Sequence, residues 1–180
     1  HQMASKKGLV VTIAILVGVT SASFLVYLIP ESVDTEMKFI VSDFEKHLDD
    51  VDEKTSMLST AVEESFGDLI NHELSPEEYF VTAEITQHQV NSLIIELTLS
   101  GEPQEWTVSY KTYVGALKKL NEQITETVVV ANLMNEINSI DCDEECMDSM
   151  ERRLNELIPK VYELRAESLE LIEKSNNSRP

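Results

Sequence analysis

Residues 147–171 read MDSMERRLNELIPKVYELRAESLEL, and within them Met147, Met150, Leu154, Leu157, Val161 and Leu164 recur at unbroken steps of three and four, with Leu171 rejoining the register. A 3.6-residue repeat puts those positions on one face, so the stretch predicts a helix that buries a single apolar stripe. Pro159 lies inside it, where it removes a backbone donor and crowds the preceding turn, which predicts a kink. Upstream, behind the breaking tripeptide Gly101-Glu102-Pro103, Trp106, Tyr110, Tyr113, Leu117, Leu120, Ile124, Val128, Ala131, Met134 and Ile137 repeat at the same spacing. Ser75-Pro76-Glu77-Glu78 has the composition of a helix start, with proline in the first turn and acids near the positive end of the helix dipole. The helix it opens carries Tyr79, Phe80, Ala83, Val90, Ile94 and Leu97, although residues 93–99 alternate well enough to form a strand instead. Earlier still, Val33, Met37, Ile40, Phe44, Leu48, Val51, Leu58, Val62, Phe66 and Leu69 predict an amphipathic helix of about eleven turns, capped near Ser32 or Asp34 and ended before Pro76.

Four apolar stripes joined by short breaks are best satisfied by burying them together, which predicts an all-α fold: an antiparallel, coiled-coil-like bundle of about four helices over residues 31–175. Two or three long helices protruding as a coiled-coil stalk is the alternative. After Ser175 the tail, 176–180, has no apolar residue and is expected to be disordered; Asn176-Asn177-Ser178 within it is a formal glycosylation sequon.

Residues 9–29, LVVTIAILVGVTSASFLVYLI, carry no charge over 21 positions, enough helix to cross a hydrocarbon core of roughly 30 Å. A single N-terminal transmembrane signal anchor is the expectation. Lys6 and Lys7 precede it and Glu31, Asp34 and Glu36 follow, so the basic-inside preference places residues 1–8 in the cytoplasm and everything after Pro30 outside the cell membrane. A cleaved signal peptide ending at the small residues Thr20-Ser21-Ala22 is the rival, but it would leave Phe24 to Ile29 as an exposed apolar start. Ala14, Gly18 and Ala22 recur every four residues and form a small-residue face on which helices in lipid can approach closely.

The whole chain has 14 Lys plus Arg against 33 Asp plus Glu, a formal charge of -19. Nucleic-acid binding relies on neutralising phosphates with basic side chains, so that partner class is excluded. An apolar fraction of 42% with five Gly and five Pro separates the chain from disordered acidic tails.

Few residues invite chemistry. Cys142 and Cys146, the two cysteines, lie in Asp141-Cys142-Asp143-Glu144-Glu145-Cys146-Met147-Asp148 between the last two helices; in an oxidising compartment they are expected to pair. The acids around them suit a hard cation such as calcium, yet the pattern lacks the Gly and the twelfth-position Glu of an EF-hand, and acids are favoured at a helix start in any case. Asp43 and His47, Asp68 and His72, and Glu84 and His88 are each one helical turn apart, a spacing that could ligate a transition metal if the three pairs met in a bundle. The same pairs arise as surface neighbours in an acidic chain. No nucleophile–base motif, phosphate-cradling glycine loop or zinc spacing is present, so neither an enzyme activity nor a cofactor is expected.

These features favour a non-catalytic, membrane-anchored subunit that binds other membrane or envelope proteins, or itself, through the transmembrane helix. A transmembrane helix leading into a long bundle also resembles the sensing domain of chemoreceptors and sensor kinases, which implies a ligand- or metal-sensing bundle. With about eight residues before the span, any signal would pass through a partner. Lys6-Lys7-Gly8 followed by an apolar helix resembles the leader of archaeal type IV pilin-like proteins over about 22 residues, with Ile13 where those helices carry Glu; that resemblance implies cleavage beside Gly8 and packing in a filament core.

Overall fold

The computed structural model describes residues 40–139 and 142–180, and all of the secondary structure among them is helical. Helix α1 spans Phe44–Ile70, α2 spans Pro76–Thr98, α3 spans Thr107–Ser139 and α4 spans Glu144–Asn176; a 3-10 turn, Gln104–Trp106, leads into α3. Residues 9–29, with Ala14, Gly18 and Ala22, lie outside the described residues, as do Val33, Met37 and Asp141. Among the described residues no helix is long and apolar enough to cross a membrane.

Local chemistry sets the ends of the helices. The Ser75 side chain accepts from the Glu78 N–H while the Glu78 carboxylate accepts from the Ser75 N–H, a reciprocal capping box that fixes the start of α2. Asp143 caps α4 by accepting from the Cys146 N–H at 3.0 Å. Asp43 does the same for α1 through the Lys46 N–H. That cap corrects the longer first helix expected from Ser32 or Asp34: residues 40–43 are not helical, and Ile40, which fitted the apolar rhythm, is 97% exposed. The strand alternative for residues 93–99 also fails, because α2 stays helical to Thr98. Gly101 then turns the chain with a φ of 65°, a left-handed conformation that only glycine adopts without a steric cost.

Cross-helix contacts give the topology. Glu96 near the end of α2 meets His47 near the start of α1, and Asn91 meets Asn121 of α3. Ser168 and Ser175 of α4 donate to the carbonyls of Ala116 and Ser109 of α3, so each helix runs antiparallel to the next. Arg165 pairs with Glu63 and Arg179 with Asp49, closing α4 against α1. Tyr110 and Tyr113 of α3 reach Phe44 and Asp52 of α1, so these two helices run the same way. The result is an up-down-up-down four-helix bundle.

Its core holds Leu48, Val51, Leu58, Val62, Phe66 and Leu69 from α1, Tyr79, Ala83, Val90 and Leu97 from α2, Tyr110, Tyr113, Leu117, Leu120 and Ile124 from α3, and Val161 and Leu164 from α4. Hydroxyl side chains fill gaps in the apolar rhythm. Thr55 and Thr86 are each at most 2% exposed and satisfy themselves by donating to the carbonyls of Val51 and Thr82, four residues back.

Pro159 does not end α4, which continues from Glu144 to Asn176. Pro159 and Asn155 are both exposed, so the carbonyl left without its helical donor can be solvated. The tail expected to be disordered is instead tied down. α4 runs to Asn176, Ser175 is fully buried, and the Arg179 guanidinium bonds the side chains of Asp49 and Asn176. The Asp49 carboxylate on α1 and the Ser109 carbonyl on α3, which accepts from Ser175, thus supply what the tail's own composition lacks.

Candidate functional site

Helices α3 and α4 have 33 residues each, against 27 in α1 and 23 in α2. The contacts of Asp49 with Arg179, Glu63 with Arg165 and Phe66 with Tyr162 set an antiparallel register that brings Ile70, the last residue of α1, level with Ile158. The part of α4 before Ile158 therefore runs past the end of α1 and packs on α3. Burial follows that division. The buried residues of α4 are Val161, Leu164, Ser168 and Ser175, whereas Met147, Met150, Leu154, Leu157 and Ile158 are half-buried. Beside them on α3, Leu133 and Met134 are buried, Ile137 is half-buried and Val129 is exposed.

A disulfide joins Cys142 to Cys146 at the tip of this hairpin, with the Cα atoms 5.4 Å apart. The acids beside it have local duties: Asp143 is the N-cap of α4, and Glu144 and Glu145 occupy its first turn, where the dipole favours negative charge. These roles account for Asp143, Glu144 and Glu145.

The three acid–histidine pairs are not brought together. The Asp43 carboxylate is committed to the Lys46 N–H, and the His47 ring turns away from it. His47 Nε2 donates to Glu96 Oε1 at 2.9 Å, and Nδ1 lies 2.8 Å from the Tyr110 hydroxyl, which in turn donates to the Phe44 carbonyl at 3.1 Å. His72 follows the end of α1 with a φ of 58°, so the helical spacing that would set it above Asp68 no longer applies. Glu84 and His88 do face each other, at 4.0 Å, but both side chains are more than three-quarters exposed and behave as surface neighbours. Among the described residues no group of three or more His, Cys, Asp or Glu is placed to hold a metal ion.

The network where the start of α1 meets the end of α2 escaped the sequence reading because its members are remote in the chain. Burial raises the Glu96 carboxyl, but the His47 hydrogen bond and the charges of Lys54 and His47 outweigh it and hold the group below its ordinary value. Burial pushes the Tyr113 phenol well above its ordinary value, reinforced by the Asp52 carboxylate that accepts its proton at 2.6 Å. Tyr79 is raised by burial too, against a hydrogen bond to Thr127. All three serve as neutral or paired structural groups.

No family model matches the chain, and neither any curated protein nor any solved structure does.

Proposed function

We propose that this protein is a non-catalytic, membrane-anchored interaction subunit whose bundle, held outside the membrane, docks a partner through the α3–α4 hairpin. The observation that carries the reading is the half-buried apolar row Met147, Met150, Leu154, Leu157 and Ile158 on the part of α4 that extends past α1. An apolar row covered on one side is what a further helix from another membrane or envelope protein, or from a second copy, would complete. Small residues Ala14, Gly18 and Ala22 in the apolar segment supply a second contact within the membrane.

The test is a mild-detergent pull-down of the full chain beside Leu154→Glu and Gly18→Leu, at low and high salt. The expected result is a partner, or a second copy, recovered with the wild type and reduced with each variant while circular dichroism stays helical. Recovery of the wild type as a monomer without partner under every condition would defeat the proposal.

A further inference from the structure

Between α1 and α4, above α3, lies a cleft of about 270 Å³. Its α1 wall includes Asp52, Ser56, Ser59 and Glu63, spaced by four, three and four residues, so the face of α1 that lines the cleft is polar. Short hydroxyl side chains and carboxylates cannot close an apolar seam, which is why the two helices leave a space there.

Most polar groups at the cleft are satisfied within the protein. Thr55 donates to the Val51 carbonyl, Ser168 to the Ala116 carbonyl and Tyr113 to Asp52, while Arg165 Nη2 pairs with Glu63. Two buried atoms are not: Gln123 Oε1, on a floor residue only 2% exposed, and Arg165 Nε. A buried carbonyl oxygen without a donor is rare in folded proteins.

We propose that this cleft binds a small protonated amine that also carries a hydrogen-bond acceptor, the class of the amino alcohols. The charges lining it are the carboxylates of Asp52 and Glu63 and the single guanidinium of Arg165, a balance that favours a cation. The ammonium donors of such a ligand satisfy Gln123 Oε1 and Asp52, and its hydroxyl accepts from Arg165 Nε. A carboxylate ligand would meet two like charges. A neutral polyol would leave the excess negative charge unbalanced. A space of about 270 Å³ is enough for a molecule of this size with some solvent. The chain's charge of -19 adds a long-range attraction for cations. The site is separate from the hairpin, and it stands whether or not the hairpin docks a partner.

The experiment is calorimetric titration and thermal shift of the full chain in mild detergent, at about 0.15 M salt so that diffuse surface attraction is screened. The probes are 1,3-diaminopropan-2-ol and ethanolamine, with glycerol and acetate as comparators. Saturable one-to-one binding of an amine probe, and not of the comparators, is expected. Asp52→Asn keeps an acceptor for Tyr113 yet removes the charge, and Gln123→Met removes the unpartnered oxygen at similar volume; each should weaken the amine about tenfold. Glu84→Gln, on the exposed face of α2, should leave it unchanged. Absence of saturable amine binding would overturn the proposal, as would equal binding by the comparators, by Asp52→Asn and Gln123→Met, or an equal loss in Glu84→Gln.

Discussion

Ser175 Oγ donates to the Ser109 carbonyl at 2.7 Å, joining the last turn of α4 to the first turn of α3 across 66 residues of chain. Ser175 has no exposed surface, so the bond is made in an environment where water cannot substitute for it. Ser168 repeats the arrangement two turns earlier, donating to the Ala116 carbonyl at 2.9 Å. These small side chains let α3 and α4 pack closely while converting a polar position into a cross-helix tie.

Ser175→Ala is therefore expected to destabilise the domain by about 1 kcal/mol, the net value of one buried hydrogen bond. For a domain of this size that is roughly 2–4 °C in Tm. Unchanged melting in a purified Ser175→Ala protein would show that the tie contributes nothing.

Replacing Glu96 should expose the electrostatics at the start of α1. Its carboxyl is held below the ordinary value of 4.5 in the folded protein, chiefly because the His47 bond and the nearby positive charges overcome burial. A depressed folded-state value means stabilisation that is present above the ordinary value and lost as pH falls through the lowered one. Glu96→Gln should cost about 1.5–3 kcal/mol at neutral pH, the worth of a hydrogen bond to a charged group. The gap between wild-type and variant urea midpoints should shrink as pH falls below the ordinary carboxylate range. A gap that stays constant with pH would contradict this account.

The apolar rhythm revealed the four helices because each buries one stripe, and Pro76 with its flanking Ser75 and Glu78 marked a helix start by purely local chemistry. Ser168 and Ser175 were harder to see, although both continue the three-four register of Leu164 and Leu171. Their polarity hid them from a hydrophobic pattern, and burial becomes tolerable only because carbonyls of α3 accept their protons. Thr55 was concealed in the same way, in the seven-residue gap between Val51 and Leu58. The joining of His47 to Glu96 and Tyr110 had no local signal, since 49 and 63 residues separate the partners. The polar stripe Asp52, Ser56, Ser59 and Glu63 was open to reading in the sequence, but polar helical faces usually meet solvent and only the position of α4 turns this one into a cleft wall.

Gly67 offers a stabilising substitution. It lies in α1 three residues before the end, and a Cβ added there would meet nothing within 4 Å. Gly67→Ala should raise stability by about 0.5–1 kcal/mol by removing backbone freedom from the unfolded chain. Gly115→Ala should also be tolerated, since its Cβ would touch Leu171 Cδ1 at an ordinary 3.7 Å. A lower denaturation midpoint for Gly67→Ala would reveal a contact or strain at this position that the geometry does not contain.

The Cys142–Cys146 bridge should act locally. It closes a loop of four residues, so the chain-entropy argument assigns it at most about 2 kcal/mol. It also sits at the hairpin tip, beyond the end of α1, where α4 has its half-buried face. Cys142→Ser with Cys146→Ser should speed hydrogen exchange in residues 142–150 while the exchange of buried α1 and α3 amides and the global melting midpoint change little. A large global loss would mean that the tip is coupled to the core more tightly than its packing indicates. The same pair tests the proposed placement of the bundle outside the cytoplasm, because disulfides persist in oxidising compartments and are rare in reducing ones. Protein alkylated at the moment of cell lysis should carry no label on either cysteine until it is reduced. Two fully labelled thiols would place the bundle in a reducing compartment and reverse the topology drawn from Lys6 and Lys7.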